Sequence, residues 1–353
     1  MQSKKSITLS LIICSRNDDY MGDPLWRLGT SINYVSEQIF KLKKEHTVEI
    51  VVADWGSEEP ISNVIGLTND ALAITRFIHI PNRLASTLQR DSAFGEVYAL
   101  NVAARRSFGE YIGRIDQDTL VTGDFLTKFF NAYEGNSEER FDLRNSYLFA
   151  ARKQIPYSFV SKKPNLKDLH YYISSYGKLN YSEELSFCFW ASPVGILMMH
   201  RDIWDDIGGY DERLIYYWFM DVDLATRLIK KYPVVNIGKE FGYHFFHLEH
   251  VKPSLNFRHS HRKLNPPWSK SFDKPILNPN GASWGLKEIS LMESNAKLSK
   301  SIIEVKRLDI LENKLARISP LISTLLNSCN RWVYYQVKYV WYLTKVFRNK
   351  PYL

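Results

Sequence analysis

The strongest constraint in the first 120 residues is a regular exchange between two hydrophobic periods. "ITLSLIIC" is an unbroken, strand-length apolar run, followed by Leu25, Leu28, Ile32, Val35, Ile39 and Leu42, spaced three and four apart. The first pattern fits a buried strand, the second one face of a helix. "VEIVVADWGS" and "AITRFIHIPN" read as second and third strands, "SAFGEVYALNVAARRSFG" as a helix stopped by Gly109, and "YIGRID" as a fourth strand. Strands alternating with helices in this way make an open, parallel α/β sheet. Ligands of such sheets bind beyond the carboxyl ends of the strands. "SRNDD", "DWGS" and "DQD" all fall at those ends.

Further on, "SYLFAARKQIP" reads as one more strand, and "ASPVGILMMHRDIWDDIGGYDER" as a strand, a short helix and a glycine turn. "DVDLATRLIKKY" is a helix with acids in its first turn and lysines in its last, which suits the helix dipole. "PVVNIG" and "YHFFHLEH" are extended. The polar, tyrosine-rich stretch from Tyr157 to Phe187 offers a surface for a sugar or peptide acceptor. From Val251 to Gly285 the chain is rich in Pro, Asn, Ser and His, and reads as a long loop.

A chain of 353 residues can bury a sizeable core in one large domain or two. Cys14, Cys188 and Cys329 are odd in number and far apart, which fits neither a disulfide framework nor a zinc site and suits a reducing, cytoplasmic compartment. The start, "MQSKKSITLSLIICSRNDD", faintly resembles a signal peptide, but lacks a small-residue cleavage site and is expected to form the first strand. From Ala296 onward there are 11 Lys and Arg against 3 Asp and Glu, which accounts for the whole net charge of +8. The body is therefore neutral, with no charge excess for holding a polyanion.

That tail has two parts. Leu308, Leu311, Leu315, Ile318, Ile322 and Leu325 keep heptad spacing, interrupted by Pro320; then comes "RWVYYQVKYVWYLTKVFRNKPY", where Arg331, Lys338 and Lys345 repeat every seventh residue. Its longest uncharged run, Ile318 to Asn330, is 13 residues, short of the ~20 that a membrane span needs. A basic stripe on an aromatic helix suits a bilayer interface. Packing of the aromatics against the body is the competing reading.

Asp116 and Asp118 stand one residue apart directly after the fourth strand. A solvated turn explains them, since Asp is common in turns. So does a divalent cation, since paired hard oxygens are what Mg²⁺ or Mn²⁺ takes.

Four blocks in order, "EIVVADWGS", "ALNVAARRSFGEYIGRIDQD", "GGYDER" and "WFMDVDLATRL", resemble the nucleotide-sugar glycosyltransferases of the GT-A fold, family 2, including galactosyltransferase-like and chondroitin-polymerase-like relatives. The resemblance runs from about Ile7 to His250. It implies a Rossmann-like, mostly parallel sheet with flanking helices, to which the tail adds a C-terminal helical extension. It also implies a nucleotide-sugar-binding half at residues 1–130 and an acceptor-binding half with closing loop at 131–295, ahead of the basic tail at 296–353.

The resemblance also assigns roles. Ser15, Arg16 and Asn17 would wrap the base and ribose, and Asp54 would accept a hydrogen bond from the base; a turn-forming Asp before Gly56 is the other reading. Asn101 and Arg105 fall where the family places donor contacts, and read equally as solvated helix residues. "DQD" matches the DXD motif, with Asp118 on the metal and Asp116 facing the ribose or reaching the metal through water. The third ligand would be a histidine of "YHFFHLEH": His247 by the family's H-x-E pattern, His250 in reserve, with His244 the remaining choice. The metal, Mn²⁺ or Mg²⁺, would bridge the donor phosphates. Asp221 would be the general base of inverting transfer. Met220 stands where the family's usual Glu contacts an acceptor hydroxyl, a departure that weakens acceptor binding arguments. Trp218 would stack on the acceptor sugar or belong to the core. Asp223 completes the acceptor-side acids, or pairs with Arg227 one turn on. Arg258, His259, His261, Arg262 and Lys263 lie in a basic loop within reach of the diphosphate.

The expected activity is metal-dependent, inverting transfer from a nucleotide sugar, a UDP-sugar first among them, to a glycan or polyprenol-linked glycan, in surface polysaccharide synthesis at the inner face of the cell membrane. A nucleotidyltransferase shares the acidic Rossmann-like half, but "LIICSRNDDYMGD" lacks the glycine-rich, basic signature. A silent glycan-binding subunit would not need Asp116, Asp118, Asp221 and a histidine cluster together. Nucleic acid is not an expected partner, because aromatics outnumber charges in the tail; a second copy of the chain stays open.

Overall fold

The computed structural model describes residues 6–136, 141–176, 194–217, 219–242, 244–250, 263–265 and 276–295. The tail, its heptads, its basic stripe and Trp218 lie outside the described residues.

The strands in chain order are β1 (Leu9–Ser15), β2 (Val48–Trp55), β3 (Thr75–Ile80), β4 (Tyr111–Arg114), β5 (Thr119–Val121), β6 (Tyr147–Ala151), β7 (Lys153–Ile155), β8 (Val194–His200), β9 (Val234–Asn236), β10 (Phe245–Leu248) and β11 (Met292–Ser294). Eight form a sheet in the order β11-β3-β2-β1-β4-β8-β6-β9. β3, β2, β1 and β4 run parallel, while β8 and β11 pair antiparallel with their neighbours. A second sheet of three strands, β5-β10-β7, stands beside it. This is the mixed, mostly parallel α/β sheet of the GT-A fold, with helices on both faces.

The apolar run of β1 is unbroken because both its faces are buried. Leu9, Leu11 and Ile13 pack with Leu28, Ile32, Val35 and Ile39 of the helix Pro24–Lys41. Ile12 faces the other way, with Val51, Ala53 and the helix Glu96–Arg106. That helix ends three residues before Gly109.

Two elements differ from the sequence reading. "SYLFAARKQIP" is two strands, β6 in the large sheet and β7 in the small one, with Arg152 at the corner between them. Its apolar continuity conceals the break, which follows an irregularity in the β6–β8 register at Ala150 and Ala151. β11, in a segment with no clear period, adds an antiparallel edge against Phe77, Ile78 and His79.

Candidate active site

The short turn from β4 to β5 carries Asp118, and β10 brings the histidines to it. β10 pairs antiparallel with β5, setting His247 opposite Thr119, and Leu248 N–H donates to Asp118 O at 2.9 Å. His247 Nε2 then lies 3.3 Å from Asp118 Oδ1, and His250 Nε2 3.3 Å from Oδ2. One ligand atom from each of the three residues lies within 4.8 Å of the others. Both histidines foreseen as alternatives therefore meet Asp118 together. His244 stands apart, its Nε2 2.6 Å from Phe241 O.

The chemistry of these atoms fits a cation. His247 Nδ1 lies 2.6 Å from Gln154 Oε1; an amide oxygen only accepts, so Nδ1 carries the ring proton and Nε2 presents a lone pair. Burial, with Arg152 beside it, lowers the imidazole to about 4, so the ring is neutral near pH 7. A neutral Nε2 and a carboxylate oxygen facing each other are two acceptors without a hydrogen, and Nε2 is buried with no hydrogen-bond partner. A divalent ion satisfies both. Gln154 plays the part that outer partners of metal-bound histidines play, setting the tautomer.

Asp116 is not in this group. Its Oδ1 pairs with Arg114 Nη2 at 2.8 Å and its Oδ2 with Arg152 Nη1. Both its oxygens are held by guanidinium groups, so among the described residues the cluster consists of Asp118, His247 and His250. Arg152 also reaches Asp118 Oδ1 at 3.8 Å, and Arg27 Nε stands 3.8 Å from Oδ2.

Arg114, at the carboxyl end of β4, is buried and serves three acids. It contacts Asp116, Glu96 Oε1 at 3.0 Å and Asp221 Oδ1 at 3.4 Å. Asp221 sits in the first turn of the helix Met220–Ile229. Phe219 before it is left-handed at φ 69°, a conformation costing on the order of 1–2 kcal/mol for a residue with a Cβ. The Tyr210 hydroxyl donates to Asp221 Oδ1 at 3.1 Å. Oδ1 is thus pinned from two sides, and Oδ2 has no partner among the described residues. Asp221 therefore presents one fixed and one open carboxylate oxygen.

The strand-end residues expected on the nucleotide are together at the ends of β1 and β2, each engaged with a neighbouring residue. Ser15 Oγ donates to Gln117 Oε1 at 2.5 Å, Arg16 Nε to Asp18 at 2.8 Å, and Asn17 Nδ2 to Glu59 O at 3.0 Å. Asp54 is buried and accepts from Ser57 Oγ and, at 2.9 Å, from Ile61 N–H, with His79 Nδ1 at 3.2 Å. Its carboxylate braces the turn after β2, as the turn-former reading expects.

Three further residues of the expected site are engaged within the protein. Asn101 is fully buried: Nδ2 donates to Tyr210 O at 2.8 Å and Glu212 Oε1 at 3.0 Å, and Oδ1 accepts from Tyr210 N–H at 2.7 Å. With every group spent on the turn after Gly208 and Gly209, it has none for a donor. Arg105 donates to Trp284 O at 2.9 Å and Ala282 O at 2.8 Å, with its guanidinium 4.1 Å from the Trp284 ring centroid, so it anchors the C-terminal segment. Asp223 is buried on Arg227 Nε at 2.8 Å, and Arg227 in turn donates to Ile207 O and Gly209 O. That pair ties Asp223 Oδ2 to Arg227 one turn on, within the helix. Lys263 of the basic loop is held by Asp91 and the Tyr216 hydroxyl; Arg258, His259, His261 and Arg262 lie outside the described residues.

Replacement of Asn101 by alanine is expected to destabilise the protein by about 1–3 kcal/mol, the cost of leaving buried partners unsatisfied, without changing nucleotide affinity. Urea unfolding and nucleotide titration of the folded variant check this. Lost affinity at unchanged stability would restore Asn101 to the donor site.

Sequence reasoning did not find Arg114, Arg152, Glu96, Tyr210 or Arg27. For Arg114 a signal existed, a basic residue two places before an acidic pair at a strand end. Arg152 was hidden inside a strand read as continuous.

Comparison with known proteins agrees with the geometry. Residues 25–265 match the family described as glycosyltransferase like family 2. The chain belongs to that family. No curated protein matches it in sequence. Among solved structures it is similar to S. aureus TarS 1–349, with 14% identity and a TM-score of 0.41 over 69% of this chain and 60% of that one. It spans 60% of the length of that TarS structure. It is also similar to the catalytic domain of Drosophila β1,4-galactosyltransferase 7 in complex with xylobiose, at 12% identity and a TM-score of 0.41 over 78% of this chain and 83% of that one.

Proposed function

We propose that this protein is a metal-dependent, inverting hexosyltransferase that moves a sugar from a nucleotide-sugar donor to a hydroxyl of a glycan or lipid-linked glycan, in surface polysaccharide synthesis. One observation carries the reading. Asp118 with its two histidines connects to Asp221 through alternating charges, Arg152, Asp116 and Arg114. A cation site and a carboxylate fit to act as base are therefore joined by one chain of ion pairs, an arrangement that suits single-displacement sugar transfer.

Asp118, His247 and His250 would hold the metal, and two imidazoles in the set favour Mn²⁺ over Mg²⁺. When bound, the ion would neutralise the charge growing on the leaving nucleoside diphosphate. Asp221 Oδ2 takes the proton of the acceptor hydroxyl. The hydroxyl oxygen bonds to the anomeric carbon while the bond from that carbon to the phosphate oxygen breaks, its electron pair leaving on the diphosphate. Arg114 and the Tyr210 hydroxyl hold Oδ1, so only Oδ2 is offered. The donor is taken to be a UDP-sugar.

Purified protein with Mn²⁺ and a panel of nucleotide sugars is expected to release nucleoside diphosphate with one donor class above all others. No release with any donor, in Mn²⁺ or Mg²⁺, would end the reading.

We also propose attachment to the cytoplasmic membrane face. Support comes from the sequence alone, the charge of +8 held after Ala296 among aromatics, each Lys or Arg near an anionic surface contributing about 1 kcal/mol. No helix among the described residues is long and apolar enough to cross a membrane. A chain cut after Asn330 is expected to lose co-sedimentation with phosphatidylserine liposomes; retained binding would move the anchor elsewhere.

A further inference from the structure

The helix that carries Asp221 begins with Met220, which is buried, and the other acid of its first turn, Asp223, is buried on Arg227, so that turn exposes no second carboxylate. The structure supplies one from another element. Glu96 opens the helix Glu96–Arg106, and its Oε1 accepts from Arg114 Nη2 at 3.0 Å, while Nη1 of the same guanidinium meets Asp221 Oδ1 at 3.4 Å. A planar fork with two adjacent nitrogens sets its two carboxylates side by side. Glu96 is 36% exposed and Asp221 30%, in contrast to the buried Arg114 between them. Beyond these contacts Glu96 Oε2 and Asp221 Oδ2 have no hydrogen-bond partner among the described residues. Two partly exposed acids with one oxygen pinned and one open, on a shared guanidinium, suit a molecule with neighbouring hydroxyls.

We infer that Glu96 is an acceptor-binding residue: its open oxygen takes a hydrogen bond from a sugar hydroxyl next to the one that Asp221 deprotonates. The inference rests on the glycosyltransferase reading above and adds the residue that orients the acceptor ring. The arrangement also explains how the chain tolerates Met220. The second acid comes from another helix and is tied to the base through Arg114.

The test uses the full chain with Mn²⁺, its preferred donor and a panel of methyl glycosides of common hexoses, pentoses and N-acetylhexosamines as acceptor probes. Release of nucleoside diphosphate is followed with and without each glycoside. Glu96→Gln keeps an oxygen for Arg114 and removes the charge. It is expected to raise the KM for the stimulating glycoside about tenfold or more, the size of one hydrogen bond to a charged group. That rise should exceed any fall in kcat and leave the donor KM in place. Glu96→Asp is expected to recover part of the loss, and thermal melting checks that both variants fold. An unchanged acceptor KM in a folded Glu96→Gln protein overturns the assignment. So does a fall in kcat at constant acceptor KM, which would mean that Glu96 acts only through the base. Absence of release by the wild-type chain with every donor would instead strike the glycosyltransferase reading, and the Glu96 assignment with it.

Discussion

Replacing Asp118 by alanine is expected to lower Mn²⁺-dependent affinity for UDP by more than ~100-fold, beyond the 10–100-fold typical of changes to groups behind the ligands. The residue supplies the only carboxylate of the three-residue group, and both its oxygens face imidazole nitrogens at 3.3 Å. Two guanidinium groups stand 3.8 Å away, so removing the acid also leaves positive charge around the site. Asp118→Asn separates the effects, since it keeps the shape and an oxygen but not the charge. Calorimetry with UDP and Mn²⁺ on both variants is the measurement, with unfolding curves beside it. Undiminished affinity in the folded variants would remove Asp118 from the metal.

Asp221→Asn is expected to cut turnover by about 10²–10⁴-fold, the usual loss on removing a general base, while UDP binding holds. The amide keeps the contact of Oδ1 with Tyr210 and Arg114 but cannot take a proton at the other position. Single-turnover rates with saturating donor measure the loss. Turnover within about threefold of wild type would show that another group accepts the proton. Asp223, two residues along, is an unsuitable substitute because Arg227 already holds it at 2.8 Å in a buried pair.

Much of the large sheet was legible, because burial on both faces writes itself as unbroken apolar runs. β1, β2 and β3 all show it, and the helix after β1 shows the three-and-four spacing in plain form. The metal group was half legible. Asp118 and a histidine of "YHFFHLEH" could be named, but whether one ring or two reach the acid depends on the β5–β10 register, which no local pattern encodes. Asn101 and Arg105 show the opposite failure. Polar side chains near a strand end look alike in sequence whether they meet a substrate or a backbone carbonyl, and these two meet carbonyls of segments about 110 and 180 positions away. Arg114 and Glu96 escaped for a related reason, since their meaning lies in a shared partner rather than in either residue.

The threading of β10 between β5 and β7 has a bearing on how the protein matures as it leaves the ribosome. β5 and β7 are not neighbours in the small sheet; each bonds only to β10, the last of the three to be made. Until Phe245–Leu248 has emerged, neither earlier strand has its partner and Asp118 has no imidazole beside it. Closing that sheet and completing the cluster are therefore a single late event. A nascent chain halted before residue 245 can pair β1 with β2 and β3 while its catalytic edge stays unfinished, so ordered core and competent site arrive at separate times during synthesis.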